Sequence, residues 1–175
     1  VRAVKTEREV GHIAATQAAA EDAMAVAEDL LARATVDDGV CHLDGAVLTS
    51  ERVRETLTEH LREAGYEPRE CIVASGPEGA LGHAVGTGPI AAGDPIVVDI
   101  APRDEESGYF GDVTRTFVKG EPDAWTRERY DLTREAHAAA LEAVEPGTTG
   151  EAVNEVVCDI FEGAGYPTLR TDEST

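Results

Sequence analysis

A chain of 175 residues carries 35 acidic side chains against 15 basic ones, a formal net charge of −20, and a hydrophobic fraction of 42%. That length suits one domain with a core of ordinary depth, and the apolar content excludes a wholly disordered chain. No apolar run is long enough to span a membrane, no leader-like segment opens the chain, and the negative field repels phosphate backbones, so neither membrane nor nucleic acid is an expected partner.

The charge is spread along the whole length, with two lysines (Lys5 and Lys119) against thirteen arginines. A carboxylate coat of this kind hydrates a folded surface in screening salt, which reads as adaptation to a salt-rich cytoplasm, the alternative being an acidic mesophilic protein. Cys41, Cys71 and Cys158 are odd in number and form no CxxC pair. They are expected to be small apolar residues in a reducing compartment rather than a zinc site or a disulfide framework. With Val1 rather than methionine first, the chain is expected to be a processed or excised segment.

In chain order, Thr6-Glu7-Arg8-Glu9 has the form of a capping box. Ile13, Ala20, Met24, Ala27 and Leu31 then recur at helical spacing, predicting one amphipathic helix over residues 7–34 that Asp37-Asp38-Gly39 ends. After a short extended piece, Thr49 or Ser50 starts a second helix with Val53, Leu57 and Leu61 on one face, closed by Gly65. Ile72-Val73-Ala74 reads as a short strand entering the glycine-rich loop 75–88. The β-branched run Pro95–Ile100 predicts a buried strand, residues 103–108 a polar turn, and residues 109–118 the returning strand of a hairpin. Helical patterning resumes over 124–144, stops at Pro146-Gly147, and returns over 150–163.

Thr49, Glu51, Val53, Glu55 and Ala64-Gly65-Tyr66 recur at an offset of 100 as Thr149, Glu151, Val153, Glu155 and Ala164-Gly165-Tyr166. Each copy follows an alanine-rich helix. Either any two capped helices that end in glycine look alike, or a helix–helix–strand unit is duplicated and its second copy has yet to supply its strands at Thr175; the second reading is favoured. The expected fold class is α/β (α+β), with helices packed behind an antiparallel-rich sheet.

Asp99 and Asp112 carry the chemical signal. Each lies in or beside an apolar strand, where an ionised carboxylate is costly unless paired or metal-bound. A turn centred between Glu105 and Glu106 sets them directly opposite each other on one face, Cβ atoms about 4.5–5.5 Å apart. Two bare carboxylates there repel. Either a divalent cation relieves the conflict, or one acid is protonated or solvated at the hairpin edge. Oxygen ligation suits manganese, cobalt or zinc.

The string Gly108-Tyr109-Phe110-Gly111-Asp112-Val113-Thr114-Arg115-Thr116-Phe117 resembles the signature of the pita-bread metallopeptidases, which include Xaa-Pro aminopeptidases, methionine aminopeptidases and creatinase. Gly93-Asp94-Pro95-Ile96-Val97-Val98-Asp99-Ile100 resembles the segment bearing that family's first metal aspartate, and the likeness runs from Lys5 to Gly165-Tyr166. The resemblance implies that residues 1–175 are the N-terminal portion of a pita-bread catalytic domain. It implies two divalent ions (manganese, cobalt or zinc), with Asp99 a bidentate ligand, Asp112 bridging, and metal-activated water attacking the scissile carbonyl. His83 matches the family's histidine that hydrogen-bonds substrate and helps stabilise the tetrahedral intermediate. His12, His42, His60 and His137 match nothing catalytic. The hairpin between the aspartates is longer than usual in the family by an even difference, which keeps both side chains on one face. The remaining ligands, a histidine and two glutamates, belong to strands beyond Thr175, so this chain alone is expected to bind metal weakly or not at all.

The activity so implied is that of a cytoplasmic metal-dependent aminopeptidase or dipeptidase acting on the N-terminal bond of peptides, with Xaa-Pro bonds favoured. The alternatives are methionine removal, a metal-free amidinohydrolase, and a non-catalytic module of the same fold that binds peptide or protein. A peptide is the expected partner, and a homodimer is compatible with the sequence.

Overall fold

The computed structural model describes residues 4–171. The chain forms two compact units, Val1–Pro122 and Asp123–Thr175.

In the first unit, α1 spans Glu7–Arg33, with the Thr6–Glu9 capping box formed in both directions. Its inward stripe is Thr16, Ala20, Ala23, Met24, Ala27, Leu30 and Leu31. The helix ends four residues before Asp37, and the Asp37-Asp38-Gly39 segment serves instead as a hairpin turn. Asp38 and Gly39 take φ of 46° and 77°, the positive pair that a tight hairpin needs and that Asp-Gly supplies. Asp44-Gly45 repeats the device, so β1 (Thr35–Asp37), β2 (Val40–Leu43) and β3 (Ala46–Val47) make a small antiparallel meander where a single extended piece was expected. Helix α2 (Ser50–Glu63) is capped by Thr49 and buries Val53, Leu57 and Leu61 completely.

The main sheet is antiparallel in the order β4-β5-β6, with β4 at Tyr66–Ser75, β5 at Pro95–Asp104 and β6 at Val113–Val118. Strands β4 and β5 are each ten residues long, longer than the apolar runs alone predict. Pairing carries them through polar residues such as Glu67 opposite Arg103. Strand β6 is shorter than expected and starts at Val113 rather than Tyr109. Ile96, Val98 and Ile100 alternate inward and are fully buried, in one core with Val73 and the inward faces of α1 and α2. Asp99 therefore points away from the helices.

In the second unit, α3 (Ala124–Ala143) and α4 (Gly150–Gly163) pack together. The offset repeat has a local structural counterpart. Helices α2 and α4 are both 14 residues long, capped by Thr49 and Thr149, and each ends at an Ala-Gly with glycine φ near 85°. Tyr66 donates its hydroxyl hydrogen to Ala15 O on α1, and Tyr166 donates to Glu128 on α3. Burial differs sharply: α4 buries only Cys158 among the described residues.

Candidate metal centre

The β5–β6 register decides where the two aspartates stand. Asp99 lies opposite Thr114, not opposite Asp112. The same register continues through the bridge between Arg103 and Phe110, so the turn is centred one residue later than expected. Asp104 is the cause. Its carboxylate accepts from the Ser107 hydroxyl and from the amides of Ser107 and Glu106, folding the turn around itself. Those bonds, the Ser107 hydroxyl foremost, hold the Asp104 carboxyl below its usual range. Gly108 N–H then bonds to Asp104 O, and Asp104 N–H to Tyr109 O.

Asp112 consequently falls two residues before Thr114. Asp112 stands just before β6; continuing the strand's two-residue alternation, with Gly111 and Val113 buried and Asp112 and Thr114 exposed, would make it the diagonal neighbour of Asp99, at a Cα spacing of about 7–8 Å. The expected direct opposition of the two aspartates does not occur, because Asp99 pairs with Thr114. The position Asp112 was expected to fill belongs to Thr114, whose hydroxyl donates a 2.7 Å hydrogen bond to Asp99 Oδ1. Asp99 is half-buried, while Asp112 and Thr114 are exposed.

Pro102 interrupts the ladder beside Asp112, because proline has no N–H to return. Gly111 N–H still bonds to Pro102 O at 3.0 Å. That bond fixes the alternation: residue 111 faces β5 and the Asp112 N–H faces outward. There it meets Oε1 of Gln17, on α1, at 3.1 Å. Thr114 was open to discovery from pairing parity once the turn was placed. Gln17 had no local signal, since it contacts Asp112 across 95 residues of sequence.

His83 occupies a different place. It lies in the loop after a 3₁₀ turn (Gly76–Ala80), with its side chain 96% exposed and Nδ1 4.0 Å from Glu70 Oε1. It lines a groove of about 540 Å³ with Arg54, Cys71 and Ile72. Ile72 is the cross-strand partner of Asp99, so the groove reaches the strand next to that carboxylate. Arg54 donates to the carbonyls of Val85 and Gly86, bracing the loop beyond His83. Burial raises the Cys71 thiol to about 11, which leaves it protonated and unfit as a nucleophile at neutral pH. All three cysteines are free, with Cys41 and Cys158 buried. Of the remaining histidines, His12 stacks on Tyr109, His42 bonds Val40 O, His60 pairs with Asp22, and His137 is exposed.

The donor set suits a hard or borderline divalent ion: carboxylate oxygens carried by one hairpin, that of Asp99 bonded by a hydroxyl. It is a partial set. Among the described residues no group of three or more His, Cys, Asp or Glu side chains is placed to hold a metal. No described helix is long and apolar enough to cross a membrane.

Comparison with known proteins places this geometry in context. Residues 12–173 match the description Metallopeptidase family M24. The probable dipeptidase PepE of Mycobacterium tuberculosis is 36% identical over 119 residues, covering 67% of this chain and 32% of the relative. The Xaa-Pro dipeptidase of Pyrococcus furiosus is 36% identical over 98 residues, covering 55% and 28%. Among solved structures, the prolidase from Pyrococcus furiosus superposes with a TM-score of 0.78 at 28% identity, covering 93% of this chain and 45% of that one. Dipeptidase PepE from Mycobacterium ulcerans gives 0.78 at 30% identity, covering 94% and 41%. The fold is accordingly the pita-bread fold in part, and the chain spans about a third of the length of the curated relatives it matches.

Proposed function

Because the chain belongs to metallopeptidase family M24, we propose that it forms the N-terminal portion of a catalytic domain that hydrolyses the N-terminal bond of peptides, Xaa-Pro bonds in particular. The observation that supports this reading is Asp99 on the β5 face turned away from the helices, its carboxylate bonded by Thr114, with Asp112 two residues before that threonine. Names given to the relatives, dipeptidase and Xaa-Pro dipeptidase, support the substrate class.

In this reading Asp99 and Asp112 hold two divalent ions, manganese, cobalt or zinc, with the further ligands supplied from outside residues 4–171. Bound there, such ions act as Lewis acids and lower the pKa of a coordinated water. The chain's own residues provide the rest. Thr114 orients Asp99, the outward-facing hairpin presents both carboxylates to one side, and His83 offers its ring to a substrate carbonyl from the groove beside β4. With only part of the ligand set, the 175-residue chain binds metal weakly and does not turn over substrate. The acidic coat, with a net charge of −20, suits a salt-rich cytoplasm.

The test is to measure metal content and hydrolysis of an Ala-Pro dipeptide side by side in the complete enzyme. Asp112→Asn is expected to lose bound metal and all measurable turnover while keeping its fold. Full hydrolysis by Asp112→Asn would remove the assignment, and a folded, metal-free, inactive wild type would favour the peptide-binding module instead.

A further inference from the structure

Asp112 lies just before β6, between Gly111, whose N–H bonds to Pro102 O, and Val113, which pairs with Ile100, on the edge of the described sheet. Its own N–H faces away from β5, and the adjacent Gly111–Pro102 contact has one bond instead of two, since proline has no N–H to return. The ladder leaves the outward Asp112 N–H without a strand partner, and α1 is the element in reach of it.

Contacts from three successive turns of α1 converge on this segment. Tyr109 donates to Glu9 Oε1 at 2.9 Å, and its ring stacks on His12 with centroids 6.0 Å apart. Gly111 lies so close to the helix that a Cβ there would stand 2.5 Å from Thr16 O and 3.0 Å from Gln17 N. One residue on, the Gln17 side chain closes the arrangement by accepting the Asp112 N–H. Only the carbonyl end of a carboxamide can meet an N–H, so the bond also fixes which way the Gln17 amide faces.

We propose that Gln17 is a positioning residue for Asp112: its side-chain carbonyl replaces the missing strand partner and fixes the backbone that aims the carboxylate to the Asp99 side of the hairpin. The metal consequence rests on the reading of Asp99 and Asp112 as ligands; the placement itself does not. Helix α1 thereby acts as a jig for a ligand 95 residues away.

Two substitutions separate the hydrogen bond from the packing. Gln17→Met keeps the length of the side chain and removes the acceptor. Gln17→Glu keeps an accepting oxygen. In the ¹⁵N-labelled 175-residue chain, Gln17→Met should lower exchange protection of the Asp112 amide about three- to tenfold, the worth of one such bond. Protection of Val98 and Ile100 should stay unchanged, and Gln17→Glu should restore Asp112. Titration with millimolar manganese chloride gives the second readout. Broadening at Asp99 and Asp112 should need about tenfold more metal in Gln17→Met, as is usual when a residue supporting a ligand is lost. Unchanged Asp112 protection in Gln17→Met, or equal loss in Gln17→Glu, would overturn the proposal. Loss of Asp112 protection in Gln17→Met, alongside unchanged manganese affinity of the complete enzyme carrying the same substitution, would uphold the positioning role and sink the metal consequence alone.

Discussion

Thr114 and Asp99 face each other across the β5–β6 ladder, and the threonine hydroxyl donates to Asp99 Oδ1 at 2.7 Å. The bond satisfies one oxygen of the half-buried carboxylate and sets its plane, leaving its other lone pairs for a cation. Thr114→Val keeps the β-branched shape and removes the donor. It should lower manganese affinity of the complete enzyme about tenfold while leaving stability almost unchanged, because the side chain is exposed. Calorimetric metal titration beside a thermal melt checks both halves; equal affinity in the variant would show that the hydroxyl does not orient the ligand.

Gly86 offers a sharper test of the loop that presents His83. Its φ is +83°, and a Cβ there would stand 1.7 Å from the carbonyl oxygen of Val73 and 2.8 Å from Ala74 Cα. Both obstacles are backbone in β4, so no rotamer change relieves them. Gly86→Ala should cost about 3 kcal/mol or more, and the Val73 N–H bond to Val85 O should be lost with it. Urea unfolding with amide exchange at Val73 measures both. Gly82→Ala, where nothing lies within 4 Å, is the control and should be nearly silent.

The repeated helices make a matched pair of substitutions. Val53 on α2 is fully buried, whereas Val153, its counterpart on α4, is only half-buried. Removing two methyl groups from the packed site should cost about 2–3 kcal/mol, counting transfer and cavity together. The same change at Val153 should cost roughly half as much or less. Amide exchange in α2 and α4 separately reports the two values. Equal costs would mean that α4 is covered as completely as α2.

What the sequence revealed, and what it hid, follows the range of the interactions concerned. Helix starts were legible because Thr6, Thr49 and Thr149 cap amides only three residues away. Asp99 was legible because a charge inside a β-branched run conflicts with burial. The Asp38-Gly39 hairpin was misread as a helix end, since the same dipeptide serves both purposes and only the pairing of Thr35 with His42 distinguishes them. The first half of β4 was missed because Glu67, Pro68, Arg69 and Glu70 have poor strand propensity that pairing to β5 overrides. The register of the aspartates turned on the side chain of Asp104, whose bonds to Glu106 and Ser107 moved the turn by one residue. Gln17 could not be found at all without tertiary structure.

Glu9 provides the pH-dependent prediction. The Thr6 amide first, then the Thr6 hydroxyl and the Tyr109 hydroxyl, lower its carboxyl from 4.5 to about 2. A depressed acid stabilises the fold fully above its unfolded value, and that contribution disappears as pH falls through the folded one. The Glu9 contribution should therefore be complete above pH 4.5 and be lost progressively toward pH 2. Tyr109 works with the opposite sign at the other end of the scale. Hydrogen bonding to Glu9 raises its phenol above 10, so that part of the lock holds below pH 10 and fails as pH rises through the raised value. Other depressed carboxyls, Asp104 and Glu51 among them, also add to acid lability, so the wild-type curve alone is not diagnostic. The difference between wild type and Glu9→Gln isolates the residue. Measured by urea unfolding, that difference should be flat from pH 5 to 8 and shrink between pH 4.5 and 2. A difference independent of pH across that acid window would show that the Glu9 charge does not hold Tyr109, and with it the segment leading to Asp112, against α1.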